Sequence, residues 1–184
     1  MASLSVLMCS IPERSSQLLE KLNDDRIEFI YLGDNCKMSL GEKRNWLLKM
    51  ATSDYVTFVD DDDTISKYYI DRLLEGIKSG VDVVNFIVSY SKNGGQSSPV
   101  FYSKDYAKNK NLPNHFERMP NHIMCIKRKL ALKVGFKEMG YGEDTEFSVR
   151  LKPMIKTEHN IKEVLYYYDD NDKTSRSRYN TGRR

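Results

Sequence analysis

Tyr55-Val56-Thr57-Phe58-Val59-Asp60-Asp61-Asp62-Asp63-Thr64 is the stretch on which the reading of this chain turns. Its first half is short, apolar and β-branched, the pattern of a strand buried on both faces. Its second half sets four carboxylates side by side where that strand ends. Adjacent negative charges repel unless a cation lies among them, and hard divalent ions take oxygen ligands while sharing a substrate's phosphates. The run is a candidate metal and phosphate site, although acidic clusters are also common as solvated turns.

Upstream, Leu4-Ser5-Val6-Leu7-Met8-Cys9 reads as a first buried strand that ends at Ser10-Ile11-Pro12-Glu13-Arg14. A helix follows with Leu18, Leu19 and Leu22 on one face, and Ile27 to Leu32 forms a second strand closed by Gly33-Asp34-Asn35. Ser39-Leu40-Gly41-Glu42 has the spacing of a capping box and opens a helix to about Met50. This β-α-β-α-β order predicts a parallel α/β sheet, in which ligands bind beyond the carboxyl ends of the strands. Ser10 to Arg14 and Asp60 to Asp63 both lie at such ends.

Downstream, Ser66 is a candidate cap for a helix with Ile70, Leu73, Leu74 and Ile77 on one face, stopped near Gly80. Val81 to Val88 reads as a strand, Asn93-Gly94-Gly95 as a hairpin turn and Val100 to Tyr102 as the returning strand. Ser103 to Asn121, polar and containing Pro113 and Pro120, reads as a long loop. Ile123 to Ile126 is a short strand, and Leu130 to Val134 lies in a helix ended by Gly135. Glu143-Asp144 opens a helix to about Leu151, and Val164 to Tyr168 is the last strand.

Composition sets the class. The chain has 184 residues, 40% apolar and 30% charged, with a net charge of +3, as expected for one globular domain. It contains no apolar run near the roughly 18 residues of a membrane helix and no signal-peptide pattern. With odd, scattered Cys9, Cys36 and Cys125, this predicts a cytoplasmic protein with reduced thiols. A charge of +3 is too small to argue for nucleic-acid binding. The domain is expected over 1–172, followed by a tail at 173–184 with five basic and no acidic residues, either a solvated end or a basic flap that closes over phosphates or touches a polyanionic acceptor.

Further positions have functional and bland readings. Lys43 and Arg44, in Gly41-Glu42-Lys43-Arg44-Asn45, stand on a helix's first turn, where side-chain charge adds to free amides as an anion site; both also suit an exposed helix face. Asp144, in Gly140-Tyr141-Gly142-Glu143-Asp144, suits either a helix cap or a general base for a hydroxyl. His122, just before a strand, is the histidine best placed for substrate contact, with Asn121 beside it and Tyr141 between its glycines as further candidates.

These pieces, in this order from about Leu4 to Arg178, resemble glycosyltransferase family 2. The resemblance implies an α/β, single-domain GT-A (Rossmann-like) fold, with a mixed, mostly parallel sheet flanked by helices, that binds a nucleotide-sugar. It implies that Ile11, Pro12 and Arg14 border the base and ribose, that Asp34 lies by the base, and that Lys43 and Arg44 hold uracil or phosphate. Asp60 and Asp62 match the Asp-x-Asp signature. Asp62 would ligate Mn²⁺ or Mg²⁺, Asp60 would contact ribose or the metal's water, and Asp61 and Asp63 would support them. Asp144, with Glu143, matches the base of an inverting displacement; Ser175, Arg176 and Arg178 match a segment over the diphosphate. A later histidine for the metal has no clear counterpart, since His159 precedes the last strand and Asn171 and Asp172 lie where it is expected.

The donor expected is a nucleoside-diphosphate sugar, with UDP favoured. The acceptor is open between a glycan, a protein and DNA bearing a hydroxylated base; richness in Lys, Asn, Asp and Tyr suits an AT-rich genome such as a phage's. Two rivals use the same residues. Asp60-Asp61-Asp62-Asp63-Thr64 fits the Asp-x-Asp-x-Thr signature of haloacid dehalogenase-like phosphatases, with Asp60 as nucleophile, but two strands precede it here. A non-catalytic sugar-nucleotide binder is the other. An EF-hand fails, because Ile65 stands where its loop needs glycine.

Overall fold

A computed structural model describes residues 2–11, 18–34 and 37–171. The apolar runs that read as buried strands are the centre of the molecule. β1 (Leu4–Ser10) pairs in parallel with β2 (Glu28–Gly33) on one side and with β3 (Tyr55–Phe58) on the other. Val6, Leu7 and Val59 are fully excluded from water, and each such side chain contributes about 1.5–3 kcal/mol by leaving it. Because the three strands are parallel, their carboxyl ends share one edge. Ser10 stands beside Gly33, and the Val59 amide donates to the Leu7 carbonyl at 2.9 Å. That register places Ile11, Asp34 and the four aspartates along a common rim.

The helices pack against this sheet. Of α1, Leu18–Lys21 is described; Leu18 and the following Leu22 are buried, whereas Leu19, expected on the same face, is 45% exposed. α2 (Leu40–Met50) starts as its capping pattern predicts, with the Glu42 amide donating to Ser39 Oγ at 3.2 Å. β4 (Thr64–Ile65), unforeseen, follows the aspartates. α3 (Tyr69–Ile77) is not capped by Ser66 as expected; Ser66 instead accepts from the Tyr68 and Tyr69 amides in the turn before it.

β5 (Val83–Lys92) and β6 (Ser98–Tyr102) form the expected hairpin, with Asn93 and Gly94 both at positive φ, 51° and 69°. That conformation matches the strands' twist, which is why an Asn-Gly pair turns the chain there. Ser103 to Asn121 is not a structureless loop. It contains β7 (Lys110–Asn111) and β8 (Phe116–Arg118), which pair with each other, while β8 runs parallel to β6. β9 (Cys125–Lys127) lies antiparallel between β3 and β5. After α4 (Arg128–Val134) and α5 (Glu143–Leu151), β10 (Glu158–Asp170) runs parallel to β5 and antiparallel to β4. The result is the expected mixed sheet flanked by helices. No described helix is long and apolar enough to cross a membrane.

Candidate active site

The motif Gly41-Glu42-Lys43-Arg44-Asn45 is the frame of the site. Gly41 allows the first turn of α2 to lie against the segment before α5: its amide donates to the Met139 carbonyl, and a Cβ there would fall 1.8 Å from the Lys137 carbonyl oxygen. Asn45 clamps Phe136 at both backbone groups, donating to its carbonyl at 2.8 Å and accepting from its amide at 2.7 Å. Lys43 is wholly buried; its ammonium is paired with Asp34 and donates to the Ser10 carbonyl at 3.0 Å. Despite burial, the ammonium and the Met38 amide hold Asp34 below the usual carboxylate range. Lys43 thus ties the end of β1 to the end of β2 from within, and neither Lys43 nor Asp34 faces the cleft described below.

Arg44 does the same between the two acidic motifs. Only 2% exposed, it donates to Asp60 at 3.1 Å and lies 3.4 Å from Glu143, with its guanidinium over the rings of Phe58 and Phe136. Burial alone disfavours its charge, but the carboxylates of Asp60 and Glu143 outweigh that and raise its pKa.

Each of the four aspartates has a different environment. Asp60 is also approached by His122 Nε2 at 3.4 Å, and its amide donates to the Tyr166 hydroxyl at 3.0 Å. Asp61 accepts from the Ile11 amide at 3.0 Å, which fixes the chain leaving β1. Asp62 is exposed. Asp63 accepts from the Tyr166 hydroxyl at 2.6 Å; burial, followed by the charge of Asp60, pushes its carboxyl well above the usual range although that hydrogen bond pulls the other way.

All four line a cleft of ≈ 620 Å³ that is also lined by Tyr141, Glu143 and Asp144. Asp144 does not cap α5: the N-cap is Gly142 at φ 79°, and Glu143 and Asp144 occupy the first turn. Glu143 is buried against Arg44, whereas Asp144 is half-exposed at the cleft and Tyr141 is 75% exposed at its rim. Ile11, Asn121 and His122 also line it. Of the residues singled out in the sequence, Ile11, Arg44, the aspartates, Asn121, His122, Tyr141, Glu143 and Asp144 lie along this one cleft. Pro12, Arg14, Arg176 and Arg178, with the rest of the tail, lie outside the described residues.

Sequence reading missed Asn45, whose role is invisible without Phe136, and Tyr166, whose hydroxyl joins Asp60 to Asp63 across more than a hundred residues. It also missed the wall made by Tyr90, Tyr102, Phe116, Arg118 and Tyr168. The run Tyr166-Tyr167-Tyr168 was the available signal: on a strand its first and third residues share a face, and both line the cleft, Tyr166 buried and Tyr168 40% exposed.

The donors offered to a metal are carboxylate oxygens, as a hard cation requires. Among the described residues no three His, Cys, Asp or Glu side chains close around one point. An open set of one or two carboxylates suits Mg²⁺ or Mn²⁺ completed by phosphate and water.

An α/β sheet with a cleft at its strands' carboxyl ends, lined by two acidic motifs that share one arginine, is the kind of site that takes a nucleotide-sugar. The sequence model of glycosyl transferase family 2 matches residues 8–136, and the chain belongs to that family. Comparison with curated proteins finds no match. Among solved structures, S. aureus TarS 1-349 is similar at 17% identity and TM-score 0.62, over 91% of this chain and 60% of that one. The same protein in complex with UDP-GlcNAc is similar at 16% and 0.62, over 91% and 58%, and S. aureus TarS at 16% and 0.63, over 91% and 36%. The likeness establishes a shared GT-A-type fold. The chain spans about 60% or less of the length of these proteins. Family membership settles the rivalry with a phosphatase, and the position of Asp60 after the third strand, held by Arg44, agrees.

Proposed function

We propose that this chain is the catalytic domain of a metal-dependent inverting glycosyltransferase that uses a nucleoside-diphosphate sugar, with UDP favoured. The observation that carries the reading is the Arg44 bridge, which brings Asp60 and Glu143 together at one nitrogen in the lining of one cleft. UDP is favoured because TarS, which shares the fold, is described in complex with UDP-GlcNAc and with UDP.

The division of labour follows from the environments. Ile11, fixed by Asp61, borders the nucleoside, together with Pro12 and Arg14 from the family pattern. Asp60 is held rigid toward the ribose side, while exposed Asp62 faces the diphosphate. Lys43 and Asp34 keep the β1 and β2 ends in place beneath the nucleoside. Acidic residues outnumber basic ones by eight to three among those lining the cleft, so a diphosphate needs positive charge brought with it. A divalent cation held by Asp62, with Asp60 alongside, supplies that charge when bound and eases departure of the nucleoside diphosphate. Arg176 and Arg178 are assigned a supplementary role there from the family pattern.

Asp144 is the base. Its carboxylate takes the proton of the acceptor hydroxyl as that oxygen bonds to the anomeric carbon; the bond from that carbon to the diphosphate breaks, and its configuration inverts. Glu143, neutralised by Arg44, holds the turn that presents Asp144. We assign the protein to the cytoplasm, where nucleotide-sugars are available to a domain of this kind.

The test is Asp144→Asn with UDP binding and sugar transfer measured together. Binding of UDP with Mn²⁺ should persist, while turnover falls at least 10²-fold, as for loss of a general base. Equal turnover in the variant removes Asp144 from the role. Absence of stabilisation of the wild type by any nucleoside diphosphate with Mn²⁺ overturns the reading as a whole.

A further inference from the structure

The cleft extends past the aspartates onto a surface of different chemistry. Tyr90 from β5, Phe116 from β8 and Tyr168 from β10 form a continuous aromatic wall. The Tyr90 and Phe116 centroids are 5.3 Å apart at 78°, and those of Tyr90 and Tyr168 are 5.6 Å apart at 57°. The Arg118 guanidinium lies 5.2 Å from the Phe116 ring. Arg118 also donates to the carbonyls of Lys110 and Glu117 and to Asn111 Oδ1, which locks the β7–β8 pair. Asn109 braces the same pair, accepting from the Met119 amide at 2.9 Å. The wall is therefore preorganised, and Tyr168 is 40% exposed on it.

Such a wall suits one kind of occupant. A pyranose ring presents a face of C–H groups, weakly positive, that packs on the negative face of an aromatic ring. Its hydroxyls need polar partners around the edge, and Asn109 and Asn111, whose Oδ1 atoms are held within the β7–β8 pair, keep their amide N–H donors for that role. A polyanion is disfavoured. Among the described residues that line the cleft, carboxylates exceed cations by eight to three, and of those cations Arg44 is held by Asp60 and Glu143 and Arg118 by the Lys110 and Glu117 carbonyls and Asn111. Nucleic-acid binding depends on several Lys and Arg side chains neutralising phosphates, and the described residues of this cleft offer a net negative lining instead.

We infer that the aromatic wall of Tyr90, Phe116 and Tyr168 is the acceptor subsite, and that it takes a neutral saccharide rather than DNA. The inference rests on the transferase reading above and adds the acceptor's class to it. The wall shares one cleft with Asp62 and Asp144, so an acceptor ring held on it lies in the same cavity as the residues assigned to donor and base.

The experiment uses the full chain with Mn²⁺. Its probes are an array of neutral glycans (cello-, malto- and chitotetraose among them) and a duplex oligonucleotide in 0.15 M salt, with UDP binding measured in parallel. Wild type should bind at least one neutral tetrasaccharide. Tyr168→Ala, a truncation at an exposed position, should weaken that binding about tenfold and leave UDP binding within twofold; Phe116→Leu should do the same if Tyr168→Ala proves unstable. Tighter capture of the oligonucleotide than of any glycan, no glycan bound by wild type, or glycan binding indifferent to both substitutions each overturns the inference. Glycan binding without UDP binding overturns the transferase reading and leaves the subsite standing.

Discussion

Replacing Arg44 by Met tests whether one buried cation holds the two acidic motifs together. Methionine keeps most of the volume packed on Phe58 and Phe136, so the lost term is chiefly charge. Removing one partner from a buried pair costs about 3–5 kcal/mol. Glu143 is 4% exposed and suffers in full, whereas Asp60, 33% exposed, is screened by water. The lower end, about 3 kcal/mol, is therefore expected. For a domain of this size that is roughly 6–12 °C in melting temperature. Thermal melts and urea titrations read it directly. The decisive comparison is the double variant: Arg44→Met with Glu143→Gln removes the stranded charge and should recover about half of the loss. A melting temperature within about 2 °C of wild type for Arg44→Met, or no recovery in the double variant, refutes the bridge as argued.

Three further outcomes follow from the same geometry. Gly41→Ala places a Cβ against the backbone carbonyl of Lys137, which cannot swing away as a side chain would; urea titration should show a loss near about 3 kcal/mol, with transferase activity reduced as α5 is displaced. Arg150, first, and Lys137 hold the Glu146 carboxyl down at about 2, below its unfolded value of about 4.3. Its contribution is therefore full above about pH 4.3 and fades as pH falls toward 2. The melting-temperature gap between wild type and Glu146→Gln should be present at pH 7, shrink below about pH 4.5 and close near pH 2. Asp62→Asn should raise the Mn²⁺ concentration that half-saturates UDP binding at least tenfold, about 1.4 kcal/mol, with melting temperature unchanged; an unaltered Mn²⁺ requirement removes Asp62 from the cation's sphere.

The sequence declared the first half of the fold because its signals there are local. Leu4 to Cys9 and Tyr55 to Val59 are apolar runs that suit only buried strands, and Ser39 with Glu42 marks a helix start by spacing alone. Ser103 to Asn121 misled because its strands are two and three residues long, too short to show any period; pairing with β6 and the Arg118 clamp make them strands. Lys43 and Arg44 read as anion binders on a helix surface because a buried cation whose partners come from other elements has no local signature. The acidic motifs were legible as chemistry, but the cation that joins them showed only once the chain was folded.

The Tyr166 hydroxyl, between the Asp60 amide and the Asp63 carboxylate, belongs to a strand that begins only at Glu158. Contacts of such long sequence separation form late, because closing the loop costs entropy before the contact rewards it. While the chain is being synthesised, β1 to β3 have all their mutual partners long before this tyrosine is made. The aspartates therefore reach their final geometry only when β10 docks beside β5, and the domain cannot engage donor in its finished form until then.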